Sequence, residues 1–312
     1  MAVQQIAPIV KTEAGVLPNL VIAGVVKGGT TSVFTYLSQH PDICPSSKKE
    51  TCYFLPVRYG GEPAPVTEYL LNFKRYRTER YVMEATPGYF EGGYKLASLM
   101  RQQLGQARIV MILREPVERL FSFYNYQKAM LNISKDMIFD RYIKLCENIP
   151  YTEVCKQTND PYWGIQGGFY ANYMNDWFEV FPDSIRVFFF DQIKRDPALL
   201  LAELYDWLGV EAVVPETLRV ENKTISYKVA LLHKAALAFN MKAERVLRLF
   251  PDLKDAARRL YFTLNGQPFE ERMSSRTRSY LESVYAPYNE RLAHQLAKRG
   301  YSNMPTWLVP PA

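Results

Sequence analysis

Short apolar runs punctuated by glycine or proline turns alternate along this chain with stretches of helical period. Residues 19–26 (NLVIAGVV) form a continuous run rich in Val and Ile, which predicts a strand buried on both faces of a parallel sheet. Lys27-Gly28-Gly29-Thr30-Thr31-Ser32 follows at once, and then VFTYLSQH, with Val33, Tyr36 and Leu37 at helical spacing. Residues 81–84 predict another strand, running into a turn at Thr86-Pro87-Gly88 and a helix over 94–103. Residues 108–113 (RIVMIL) predict a further buried strand, followed by a helix over 117–130 with proline in its first turn. A helix over 169–181, a strand over 185–190 and a helix over 197–208 complete the alternation. Residues 41–66 and 148–167 read as loop, apart from a small aromatic run at 52–55. Strands alternating with helices predict an α/β fold: a parallel sheet with right-handed crossovers, flanked by helices.

Beyond Val210 the pattern becomes helical. Residues 229–250 put Val229, Leu232, Ala236, Phe239, Ala243, Val246, Leu247 and Phe250 on one face and Lys234, Lys242, Arg245 and Arg248 on the other. This predicts a helix whose apolar face packs on the domain and whose basic face is solvated; attachment to a membrane surface is the alternative. A closing helix is expected over 274–299. We expect one domain over residues 1–312, with a core over 19–224 and a helical insertion over about 225–270.

Composition narrows the function classes. The 312 residues are 48% hydrophobic and 22% charged, ordinary for a folded protein, and no apolar run is long enough to span a bilayer. With no visible signal peptide or anchor, the expected location is the cytoplasm. The net charge of +6 is too mild to call for nucleic acid but suits an anionic ligand. Residues 222–300 carry fifteen Lys/Arg against seven Asp/Glu, so the positive excess lies in the last third. Four cysteines without paired CxxC spacing, three histidines and no HExxH argue against a metal site. Cys146 and Cys155 flank a short loop and could pair, though separate free thiols are the expectation.

Two constellations carry chemistry. In the first, glycines between strand and helix let the backbone approach an anion, N–H groups at the helix start point at it, and Lys27 adds a full charge. The Walker pattern places its lysine late in the loop, whereas Lys27 precedes the glycines, which speaks against ATP or GTP hydrolysis. In the second, Arg114-Glu115-Pro116-x-x-Arg119-x-x-Ser122 follows a buried strand, so Arg114 leaves the strand's carboxyl end, where open parallel sheets bind ligands. Two anion sites on neighbouring strands suggest a ligand anionic at both ends.

The two constellations resemble the motifs of a known family. VVKGGTTSVFTYLSQHP is similar to the 5′-phosphosulfate loop, and RIVMILREPVERLFSFYNY to the 3′-phosphate motif, of sulfotransferases that use 3′-phosphoadenosine 5′-phosphosulfate (PAPS). The likeness is to the heparan-sulfate-type and bacterial branch. KKETCYFLP, MEATPGYF, GFYANYMNDWFEVFP with DQIKRDP, VENKT and TRSYLESVYAPYNERL extend it over residues 19 to about 307.

The resemblance implies a P-loop-like α/β fold with Lys27, Gly28, Gly29, Thr30, Thr31 and Ser32 on the phosphosulfate. It implies Arg114 and Ser122 on the 3′-phosphate, and Lys223 of VENKT among the cofactor-binding residues. It also implies Glu50 as catalytic base, standing before a short aromatic strand, with Lys27 as its catalytic partner. PAPS would be the co-substrate and PAP the product, with no metal. Two departures bear on the acceptor: Ala85 replaces the lysine of the family's E-K-[ST], and residues 225–270 read as a helical insertion. The acceptor is then a small molecule, a glycan or a carrier-bound chain, with no integral membrane segment and no nucleic acid involved. His40 is expected to cap a helix, and His233 and His294 to lie on the surface. The competing readings are a variant P-loop kinase and a non-catalytic nucleotide-binding or membrane-associated protein.

Overall fold

The computed structural model describes residues 8–216, 218, 226–247, 251–267 and 271–309. They form two compact units. Among the described residues, one comprises 8–119, 167–216, 218 and 282–309; the other comprises 120–166, 226–247, 251–267 and 271–281.

The first unit is built on five parallel strands: β1 (Leu20–Gly24), β2 (Ile43–Pro45), β3 (Tyr81–Ala85), β4 (Arg108–Leu113) and β5 (Ile185–Phe189). Their order across the sheet is β2-β3-β1-β4-β5. The α/β expectation therefore stands, with strands ending within two residues of their expected bounds. β2 falls inside the stretch read as loop. It is a three-residue edge strand that pairs Pro45 with Met83, and such a short piece holding a proline carries no apolar pattern. The central β1 is buried at every position, as its unbroken apolar run requires.

Alternation sorts each strand onto two faces. Leu20, Ile22, Met83, Val110, Ile112 and Phe188 share one core cluster with Val33, Tyr36 and Leu37 of the helix Thr30–Leu37 and with Leu200, Leu201, Leu204 and Leu208 of the helix Pro197–Leu208. The second helix starts where its sequence says it should. Asp196 accepts hydrogen bonds from the N–H groups of Ala198 (3.1 Å) and Leu199 (3.0 Å), Pro197 fills the first turn, and Gly209 ends it at a φ of 68°. The helices Gly93–Leu104 and Ala171–Val180 also pack on each other in this unit. His40 is committed to the backbone. Its Nδ1 accepts from the Asp42 N–H (3.0 Å), and its Nε2 lies 2.8 Å from the Glu211 carbonyl.

The second unit contains most of the helix Pro116–Ala129, the helices Phe139–Asn148, Ala230–Leu247 and Pro251–Asn265, and a two-stranded pairing of Ser226–Tyr227 with Gly266–Gln267. Glu271 ties it together: its carboxylate accepts from Lys128 Nζ (3.2 Å) and from the Phe139 N–H (2.6 Å). His233 is buried, contrary to the surface expectation, because Tyr261 OH (2.6 Å) and the Ala129 carbonyl (2.7 Å) occupy both ring nitrogens. His294 is exposed. Residues 229–250 also depart from expectation in their facing: Val229, Leu232 and Phe239 are exposed. The side chains of Val246 and Leu247, and all of Arg248 and Phe250, lie outside what is described. All four cysteines are free.

Asn19 fixes the register of the sheet centre. Its side chain accepts from the Val82 N–H (2.8 Å) and donates to the Arg80 carbonyl (3.1 Å), joining the start of β1 to β3. Asn19→Ala leaves the buried Val82 N–H unsatisfied, so denaturant unfolding should report a loss of about 1–3 kcal/mol. A loss below about 0.5 kcal/mol, the level of an indifferent surface change, would contradict this role.

Candidate functional site

Strands β1, β3 and β4 are neighbours and end together at Gly24, Ala85 and Leu113, the end of a parallel sheet at which ligands bind. The turn after β1 is too close to β4 for a side chain: a Cβ on Gly28 would stand 2.2 Å from the Ile112 carbonyl oxygen. Gly29 has a φ of 95°, and a Cβ there would meet the Phe190 ring at 2.7 Å. The Gly28 N–H closes the turn on the Val25 carbonyl (2.9 Å), and the helix Thr30–Leu37 begins directly afterwards. Gly29 brings no side-chain cap to that helix. The Gly29 carbonyl accepts from the Ser32 N–H at 3.1 Å, and a helix start after a glycine turn is the kind of place at which phosphate-like anions bind.

Lys27 is half-buried and left-handed, with a φ of 67°. Arg114, the first residue past β4, reaches across to it: Nη1 donates to the Lys27 carbonyl at 3.3 Å. The same guanidinium lies 4.6 Å from the centre of the Phe190 ring and 3.8 Å from Glu118. Burial pushes the Lys27 ammonium down to about 8; nearby Arg114 and Lys49 push the same way, and Glu50 opposes them. The structure thus brings Lys27, Arg114 and Glu50 into one electrostatic neighbourhood from three separate loops.

Glu50 is held by its backbone. Its N–H donates to the Ala85 carbonyl (2.8 Å), the Cys52 N–H donates to Thr86 Oγ1 (3.2 Å), and the Thr51 hydroxyl donates to the Glu84 carboxylate. Glu50 and Cys52 take φ values of 64° and 58°. Non-glycine residues in that region carry about 1–3 kcal/mol of strain each, so the bonds to the end of β3 must hold them there. The exposed Glu50 carboxylate accepts from Lys49 Nζ at 2.7 Å.

The aromatic strand expected after Glu50 does not form. Tyr53 and Phe54 lie in a turn leading into the helical turn Leu55–Arg58. Both are buried, which adjacent residues of a one-faced strand cannot be, and Tyr53 stacks on Tyr69 with ring centres 4.1 Å apart.

Beneath this loop lies Glu84, fully buried on β3. Burial pushes its carboxyl up to about 7, against hydrogen bonds from Thr51, Tyr69, Tyr89 and Thr86 that hold it down. Thr51 and Lys49 escaped the sequence reading. Lys49 had a signal in its place beside Glu50, whereas Thr51 had none.

Of the remaining expected residues, Gly28 to Ser32 form the turn and the first helical residues. Ser122 is partly exposed on the helix Pro116–Ala129, in the portion belonging to the second unit, one turn after the buried Arg119. That helix begins where the Glu115 carboxylate accepts from the N–H groups of Val117 (2.9 Å) and Glu118 (2.7 Å). Lys223 lies outside the described residues. Among the described residues no group of three His, Cys, Asp or Glu side chains could hold a metal ion, and no helix is long and apolar enough to cross a membrane.

This geometry has relatives. The chain is 34% identical over 122 residues to the membrane-associated sulfotransferase kil1 of Dictyostelium discoideum, covering 38% of this chain and 25% of that one. It is 26% identical over 215 residues to human heparan sulfate glucosamine 3-O-sulfotransferase 3B1, covering 67% of this chain and 50% of that protein. It therefore spans a quarter to a half of the length of these relatives. The fold is shared with a sulfotransferase from Alicyclobacillus acidocaldarius, at a TM-score of 0.67 and 21% identity over 93% of this chain and 98% of that one. With the sulfotransferase domain profile matching residues 17–230, well over half of its length, the protein belongs to the sulfotransferase domain family.

Proposed function

We propose that this chain transfers a sulfuryl group from PAPS to a hydroxyl, or to an amine, of a small-molecule, sugar or carrier-bound acceptor. The observation that carries the reading is the meeting of Lys27, Arg114 and Glu50 beside a side-chain-free turn that leads directly into a helix. A ligand with a phosphosulfate at one end and a second phosphate at the other suits two cationic loops on adjacent strands.

In this scheme the acceptor oxygen attacks sulfur in line as the bond from sulfur to the bridging phosphate oxygen breaks. The acceptor's proton passes to Glu50, and the electron pair leaves with PAP. Lys27 and the N–H groups at the start of the helix Thr30–Leu37 stabilise the charge that grows on the leaving phosphate. Gly28 to Ser32 hold the phosphosulfate, Arg114 and Ser122 hold the 3′-phosphate, and Lys223 completes the cofactor set. Lys49, paired with Glu50, supports a substitute for the family lysine replaced by Ala85. In the loop-rich stretches 41–66 and 148–167, Tyr53 and Trp163 are buried, whereas Tyr59 and Tyr162 are partly exposed and are the aromatic residues we assign to acceptor contact.

Incubation with radiolabelled PAPS and a panel of small-molecule, glycan and acyl-carrier acceptors tests the reaction; label must move to at least one hydroxyl or amine acceptor. Glu50→Gln should keep cofactor affinity and lose about 10² to 10⁴ in kcat, the span of a positioned general base. Turnover within about threefold of the parent, at saturating substrates, would remove Glu50 from proton transfer.

Lys27 generates a pH prediction. Its free ammonium titrates at about 8, and a bound anion stabilises the charged form, so the bound value must lie higher. PAP affinity should therefore be flat between about pH 7 and 8, above the phosphates' own second pKa of about 6, and fall with rising pH above 8, by up to about tenfold per unit until the bound lysine itself titrates. Calorimetry across this range checks the sign. Affinity unchanged well above pH 8, or the same fall in Lys27→Met, would contradict direct contact.

A further inference from the structure

The second unit concentrates the chain's excess charge where its apolar side chains are most exposed. Residues 226–267 contain eight Lys/Arg against three Asp/Glu, an excess of five in a chain whose net charge is +6. The helices Ala230–Leu247 and Pro251–Asn265 meet there through a polar seam. Tyr261 OH bonds His233 Nδ1 (2.6 Å) and accepts from Asn265 Nδ2 (2.7 Å), while Asn265 Oδ1 accepts from the Val229 N–H (2.8 Å). Tyr227 stacks on His233 with ring centres 4.3 Å apart.

Because these polar groups take the inward positions, the leucines and phenylalanine are left outside. Leu231, Leu232 and Phe239 are 79%, 50% and 66% exposed, and Leu260 and Leu264 are 63% and 66% exposed. Leu232 and Phe239 are seven residues apart and Leu260 and Leu264 four apart, so each pair shares a helix face. Lys228, Lys234 and Arg259 are exposed on the same two-helix element. This inverts the usual arrangement of a helix packed on a globular core.

We propose that this hairpin docks on an anionic lipid surface, with Leu231, Leu232, Phe239, Leu260 and Leu264 entering the boundary between headgroups and acyl chains. Lys228, Lys234 and Arg259 meet the lipid phosphates. Charge complementarity selects this occupant. A second copy would set the exposed Lys228, Lys234 and Arg259 against identical cations, and a nucleic acid offers nothing to five exposed apolar side chains. A leucine-rich, basic, interfacial helix pair has the composition of a peripheral anchor, and the attachment is to one face of the bilayer only. The proposal does not depend on sulfuryl transfer.

Co-sedimentation of the full chain with vesicles tests it, comparing pure phosphatidylcholine with phosphatidylcholine containing about 30% phosphatidylserine. Binding should require phosphatidylserine and weaken by about tenfold or more between low and high salt. Phe239→Glu combined with Leu264→Glu should abolish it, while Lys228→Glu with Lys234→Glu should weaken it. Both pairs are exposed, and thermal melts verify that the variants fold. Absence of binding to the anionic vesicles, equal binding to both vesicle types, or binding unchanged by Phe239→Glu with Leu264→Glu would overturn the proposal. Self-association removed by those substitutions, without vesicle binding, would overturn it in favour of a second copy.

Discussion

Holding several cations at the end of one sheet is the constraint on which the rest of the site turns. Lys27, Lys49 and Arg114 come from three loops, and burial first, then Arg114 and Lys49, lowers the proton affinity of Lys27. The backbone enforces the crowding: Gly28 sits against the Ile112 carbonyl, and Arg114 is bonded to the carbonyl of Lys27 itself. Like charges gathered at partial burial gain from a counter-charge, which Glu50 supplies in part and an anionic ligand supplies more completely. An active site is a place where such an arrangement is useful, since the same field stabilises negative charge developing on a leaving group.

Much of this was legible in the sequence because the relevant signals are local. β1 and β4 are uninterrupted apolar runs, the glycines follow β1 without a gap, and Arg114 follows β4 directly. A strand's end and the residue after it place a side chain at the ligand edge before any tertiary contact is known. Pro116 behind Glu115 marked the following helix in the same local way.

What stayed hidden was decided by contacts distant in sequence. The left-handed backbone at Glu50 and Cys52 is imposed by bonds to Thr86, Ala85 and Glu84, more than thirty residues away, so Cys52 to Phe54 read as a strand and fold as a turn. β2 owes its existence to pairing with β3 and has no pattern of its own. On the helix Ala230–Leu247, periodicity predicts packing for Leu232 and Phe239, and both are exposed. His233 finds partners in Ala129 and Tyr261 and takes the inner side, which periodicity cannot anticipate. A buried histidine needs partners for its ring nitrogens, and His233 has one for each.

In the proposed reading, two phosphate-binding loops, without a metal, define the ligand. Calorimetry in the presence of a chelator addresses it most directly, comparing 3′,5′-ADP with 5′-AMP and ATP. 3′,5′-ADP should bind without magnesium and more tightly than 5′-AMP by about tenfold or more, the value of a charge-assisted contact to the second phosphate. Equal affinity for 3′,5′-ADP and 5′-AMP, or binding confined to ATP with magnesium, would contradict it.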